Sequence, residues 1–188
     1  KLMVLCSPHN PVGRVWTKEE LTAVAEICLK HDVLLVTDEI HADIVYEGYK
    51  HYPLLSLDKR YEENFILLTA PSKTFNVAGL KASMSIIPNK ELREKFEHTQ
   101  KAMSLDVRNT FGLECVSAAY TDEGEEWMKQ EIAYMQKNVD FLEKFVEEQM
   151  PGTKMIRPQG TFLCWLDLSE LHLGCLLYTS PSPRDKRQ

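Results

Sequence analysis

Apolar residues fall along this chain in two rhythms. Short unbroken runs, Lys1–Cys6 (KLMVLC), Val33–Thr37 (VLLVT), Phe65–Leu68 (FILL) and Ser83–Ile87, are bounded by polar or turn-forming residues and predict buried strands. Between them the spacing lengthens. Leu21, Val24, Ala25 and Cys28 recur at helical intervals, behind Thr17 with Glu20 three residues on, which is a capping box. Asn89 to about Leu105 reads as an amphipathic helix, and Asn109–Tyr120 as a second, rich in small residues. Gly124–Gln149 reads as a long third helix with Trp127, Ile132, Met135, Val139, Leu142 and Val146 near one stripe, ended by Pro151-Gly152. Lys154–Arg157 and Phe162–Leu166 then read as strands of a new unit. Strands alternating with helices predict an α/β fold, a parallel or mixed sheet flanked by helices.

Composition narrows the function. With 44% apolar and 27% charged residues in 188, the chain has the make-up of a globular protein with a sizeable core. A net charge of −6 argues against a nucleic-acid surface, which needs a basic face. The five cysteines are scattered without a CxxC pair, so neither a metal site nor a disulfide framework is expected. That favours a reducing compartment, the cytoplasm. No apolar run approaches the roughly 20 residues of a membrane span.

Both ends invite comment. The chain opens on Lys1, inside a strand, so a preceding segment is expected. After Gly174 the sequence becomes CLLYTSPSPRDKRQ, without period. Cys175 to Asp185 resembles an in-frame translation of a sequencing adapter, and residues 175–188 are therefore read as a non-native tail rather than as a basic arm.

Three polar clusters follow three of the predicted strands: Ser7–Arg14 (SPHNPVGR), Asp38–His41 (DEIH) and Ser72–Thr74 (SKT). In open α/β sheets ligands bind beyond the carboxyl ends of the strands, so the clusters are expected to meet at one crevice. Singly, each has an ordinary account. Asn10-Pro11 with Gly13 makes a turn, Asp38 can cap a helix, and Lys73 can be a solvated loop lysine. SKT also has the ending of a phosphate-binding GK[ST] loop, but lacks the glycines before it. His9 and His41 have no partner histidine at metal-ligand spacing.

Together, SPHNPVGRVW, TDEIHADIVYEG and APSKTFNVAGLK, in this order and spacing, resemble the fold-type I pyridoxal-phosphate enzymes of the aminotransferase class I/II superfamily. The wording HNPVGRVW and DEIH is most similar to the MalY/PatB branch of cystathionine β-lyases. The resemblance spans roughly Lys1 to Gly174. It implies that residues 1–123 are the C-terminal half of a cofactor-binding large domain, 124–150 a linking helix, and 151–174 the start of a small α+β domain.

The resemblance also implies roles. Lys73 would form the Schiff base with pyridoxal 5'-phosphate and serve as the catalytic base. Asp38 would face the pyridine nitrogen and Asn10 the phenolic oxygen. Ser72 and Lys81 would hold the phosphate, Lys81 standing where many relatives carry arginine. His41 stands where typical aminotransferases have tyrosine, in keeping with the lyase branch, and Ala70 replaces a serine that often binds phosphate. The Gly-rich phosphate loop would precede Lys1 and the arginine for the substrate carboxylate would follow the start of the small domain; Arg157 is not taken for it.

The implied reaction is β-elimination from an amino-acid substrate, giving pyruvate, ammonia and a thiol, in a protein that acts as a homodimer. This chain alone is expected to bind cofactor poorly and to be inactive. Amino-acid transamination is the second reading. An aminotransferase-like domain of a transcription regulator is the third.

Overall fold

The computed structural model describes residues 1–172; the segment read as a tail lies outside the described residues. The chain runs β1 (Leu2–Cys6), α1 (Lys18–Lys30), β2 (Leu34–Asp38), β3 (Phe65–Thr69), β4 (Met84–Ile86), α2 (Lys90–Ala102), α3 (Thr110–Ala119), α4 (Asp122–Gln149), β5 (Lys154–Ile156) and β6 (Trp165–Asp167), with short 3-10 turns between. The first four strands form one sheet in sequence order. β1, β2 and β3 are parallel and β4 is antiparallel. β5 and β6 form a separate antiparallel pair.

α1 forms where its capping box predicts. Thr17 accepts from the Glu20 amide and the Glu20 carboxylate accepts from the Thr17 amide, so two end donors are satisfied reciprocally. Its buried face, Leu21, Ala25 and Cys28, packs on Leu5, Leu35 and Phe65 of the sheet. Leu54 and Tyr61, from the 3-10 turns before β3, complete this core. Each large side chain buried here stabilises by about 1.5–3 kcal/mol. The Tyr61 ring lies 4.9 Å from that of Phe65, and its hydroxyl donates to Glu26 of α1 at 2.9 Å. On the other face of β1, Leu2 and Val4 remain 60% and 62% exposed.

Several predicted boundaries shift by one to three residues. α4 begins at Asp122 rather than Gly124, because the Thr121 hydroxyl accepts from the Gly124 amide and caps it earlier. Of its expected stripe only Val139 and Val146 are fully buried, while Trp127 turns away to stack on Phe75 at 5.6 Å. The last strand starts at Trp165 rather than Phe162, because residues before it are drawn into the sheet's loops. No described helix is long and apolar enough to cross a membrane.

Candidate active site

Parallel strands in register end together. Cys6 of β1 pairs with Asp38 of β2, and Asp38 with Leu68 of β3. The Ser7 amide donates to the Asp38 carbonyl at 3.0 Å, and the Glu39 amide to the Leu68 carbonyl at 2.8 Å. The loops carrying Asn10, Asp38–His41 and Ser72–Lys73 therefore leave the sheet side by side, at its carboxyl edge.

The first loop is tightly tied. His9 donates to the Arg14 carbonyl and Gly13 to the His9 carbonyl, both at 2.7 Å. The Trp16 indole donates to the Cys6 carbonyl at 2.9 Å. The Asn10 amide N–H reaches the Cys6 sulfur at 3.4 Å. Burial pushes the Cys6 thiol up, and the nearby Asp38 carboxylate acts the same way.

In the second loop, neighbouring residues part. Asp38 stays at the strand end, where its carboxylate accepts from the Ile40 amide at 3.3 Å. Glu39 turns into the interior, 2% exposed, and accepts from the His51 ring at 2.8 Å and the Leu54 amide at 3.1 Å. His41 is 1% exposed. Its Nε2 lies 3.5 Å from the Asn10 carboxamide nitrogen, and the Phe162 ring lies 5.2 Å from the imidazole. Nδ1 of His41 is buried with no hydrogen-bond partner among the described residues. Burial first, then the neighbouring Lys73 ammonium, hold His41 below its ordinary range, with Asp38 opposing them. His41 thus lies within the fields of both Lys73 and Asp38.

The third loop is a tight turn. Phe75 donates to the Pro71 carbonyl at 2.9 Å and Val77 to the Ser72 carbonyl at 3.1 Å. Ser72 and Lys73 are half-buried and Thr74 is fully buried. The Thr74 hydroxyl donates to Asp43 at 2.8 Å. Phe75 meets the Tyr120 ring edge-on at 6.1 Å as well as stacking on Trp127, so the turn rests on the α3–α4 junction.

The structure thus brings Asn10, Asp38, His41 and Lys73 together, with Ser72 beside the lysine. Lys81 is placed differently. It is exposed, in a left-handed conformation after the 3-10 turn Ala78–Leu80. It lines a cleft of about 610 Å³ with Arg93, Phe96, Arg108 and Leu113.

Several neighbours of the site escaped sequence reasoning. Pro158–Thr161 returns between the first two loops. Gln159 and Gly160 both donate to the Gly13 carbonyl, Tyr46 donates to the Gln159 carbonyl, and Thr161 to the Ile44 carbonyl. The Gln159 carboxamide accepts from Val15 at 2.8 Å, and the Tyr46 hydroxyl donates to the Thr161 carbonyl at 2.8 Å. No local pattern announces these contacts; the one usable signal was the polar, turn-rich RPQGT ahead of an apolar run.

An open, mostly parallel sheet that gathers an amide, an acid, an imidazole and a lysine at adjacent strand ends places them where open α/β sheets bind ligands. The chain belongs to the aminotransferase class I and II family, whose sequence profile matches residues 1–181. It is 42% identical over 173 residues to cystathionine beta-lyase PatB of Bacillus subtilis, a match covering 92% of this chain and 44% of that protein. It is 33% identical to protein MalY of Escherichia coli, again over 92% of this chain and 44% of the relative. Among solved structures, cystalysin from Treponema denticola, which contains a pyridoxal 5'-phosphate cofactor, superposes with a TM-score of 0.88 at 40% identity, over 92% of this chain and 43% of that one. The chain therefore spans less than half the length of these relatives, and its mixed, mostly parallel sheet with helices is part of a fold-type I architecture.

Proposed function

We propose that this chain is part of a pyridoxal-phosphate-dependent C–S β-lyase of the cystathionine β-lyase kind. The observation that carries the reading is the meeting of Asn10, Asp38, His41 and Lys73 at the ends of three adjacent parallel strands. The similarity to PatB and cystalysin supports it.

The donor set fits the cofactor. A carboxylate suits a ring nitrogen that must stay protonated, a carboxamide suits a phenolic oxygen, and a half-buried amine suits an aldehyde. When bound, pyridoxal phosphate supplies an electron sink for a substrate carbanion. Lys73 would hold the cofactor's aldehyde, and its amine would serve as the general base for the substrate Cα proton. Asp38 would stabilise positive charge on the ring nitrogen. Asn10 would donate through its carboxamide, and the imidazole of His41 lies against that carboxamide. Ser72 would supply a hydroxyl for the phosphate; Lys81 would supply a point charge only if its exposed side chain reaches back from the cleft it lines. Loss of the Cα proton with departure of a thiolate from Cβ would leave an enamine, which water would hydrolyse to pyruvate and ammonia, the thiolate taking a proton to leave as a thiol.

The domain reading goes with this: 1–123 belongs to the cofactor-binding domain, 124–150 links, and 151–174 begins the small domain. The protein is expected to act as a homodimer in the cytoplasm on an amino-acid substrate. Family membership also favours a second reading, amino-acid transamination, which shares the proton abstraction and differs in where the proton returns.

The test uses the full-length gene product with pyridoxal phosphate and cystathionine. Pyruvate with a new thiol establishes the lyase. A keto acid formed only when an amino-group acceptor is added establishes the transaminase. Lys73→Ala should abolish both turnover and the visible absorption of protein-linked cofactor; survival of that band would remove Lys73 from its role.

A further inference from the structure

The catalytic groups proposed above sit on three separate loops, and their mutual distances depend on what ties those loops together. Between the first and second loops the side-chain tie is Asn10 to His41. Between the second and third it is the hydroxyl of Thr74, which donates to Asp43 at 2.8 Å. Thr74 follows Lys73 directly, and Asp43 lies two residues beyond His41.

The surroundings make this tie unusually firm. Thr74 is 0% exposed, so its hydroxyl has no water to turn to, and a broken bond would leave a buried donor unmatched. The acceptor is a carboxylate, which makes the bond charge-assisted. Asp43 is itself flanked. Burial and the nearby Asp43 carboxylate push the Tyr120 hydroxyl up. Phe75, next to Thr74, is held between Tyr120 and Trp127. The turn carrying Lys73 is thus gripped on its far side by α3 and α4, and on the acid-bearing loop by one hydrogen bond.

We infer that Thr74 and Asp43 form a positioning pair that fixes the Lys73 amine relative to Asp38 and His41. Neither residue touches reacting atoms. They act through Lys73, by holding the second and third loops in register. This deepens the reading of Lys73 as the catalytic base and rests on it. A β-branched residue of the same shape without the hydroxyl should fill the space and lose the tie.

The experiment compares Thr74→Val, Thr74→Ser and Asp43→Ala in the full-length gene product. Loss of a hydrogen bond to a charged group predicts a turnover number with cystathionine lower by roughly tenfold or more in Thr74→Val, with KM changed far less. Thr74→Ser should restore most of it, which general loosening would not predict. Asp43→Ala should match Thr74→Val, and the double variant should be no worse than either single one. A second readout needs no cofactor. In cofactor-free protein, acetic anhydride labelling of Lys73, read by mass spectrometry against exposed Lys18, should change in Thr74→Val and return in Thr74→Ser. Wild-type turnover together with an unchanged labelling ratio in Thr74→Val would overturn the inference, as would equal defects in the valine and serine variants. If the wild-type protein has no activity on cystathionine, the proposed function fails, and the labelling ratio still decides the pair.

Discussion

The return of Pro158–Thr161 into the site is tested most sharply at Gly13. Two penalties meet there. Its φ is +77°, a left-handed conformation in which alanine is less favourable than glycine by about 1 kcal/mol. A Cβ would also lie 2.5 Å from the Pro158 Cβ and 2.8 Å from the Gly160 carbonyl oxygen. Neither neighbour is the free end of a flexible side chain, so backbone or proline ring must move. Overpacking of this kind costs about 1–3 kcal/mol. Gly13→Ala should therefore destabilise by about 2–4 kcal/mol. Gly48 supplies the control. Its φ is +90°, but nothing lies within 4 Å of the position a Cβ would take. Gly48→Ala should carry the conformational penalty alone, about 1 kcal/mol. Urea unfolding of the full-length gene product, followed by tryptophan fluorescence, measures both, and the midpoints are comparable only if the slope is unchanged. Cofactor affinity should also fall in Gly13→Ala, because Asn10 shares its loop. If the two substitutions cost the same, Pro158–Thr161 does not pack on this loop, and the account of the site's outer wall is wrong.

Further outcomes follow from the buried polar groups. Glu39→Ala removes the acceptor for both His51 and the Leu54 amide and should cost about 3 kcal/mol in the same unfolding assay, since hydrogen bonds to a buried charge are each worth about 1.5–3 kcal/mol; a loss under about 1 kcal/mol would contradict that bonding. His41 is held below its ordinary range, so the unfolded chain takes up a proton there that the folded one resists. Stability should be full above about pH 6.5 and fall as the pH drops below it, by at most about 1.4 kcal/mol per pH unit for this group. Unfolding at stepped pH should show that slope reduced in His41→Asn, and an identical slope would show that His41 is not the group responsible.

How much of this was legible in the sequence depended on the range of the interactions. Helix α1 was readable down to its cap, because Thr17 and Glu20 act on each other across one turn. The three parallel strands were readable as apolar runs, and their polar ends followed from where such sheets bind ligands. Sequence therefore determined that Asn10, Asp38, His41 and Lys73 would emerge at strand ends. It did not determine which groups would touch. Asp38 and Glu39 are adjacent acids of the same chemistry, yet one stays at the crevice and the other turns to His51, a choice set by the strand's alternation and by what packs behind it. Thr74 found Asp43 across 31 residues, and Val15 found Gln159 across 144. Lys81, eight residues from Lys73 in sequence, itself takes a left-handed conformation and lines a cleft. Local rhythm encodes the strands and helices since their hydrogen bonds and buried faces close within a few residues. Contacts between loops carry no period, so only the packing of the whole sheet and the segments laid over it could decide them.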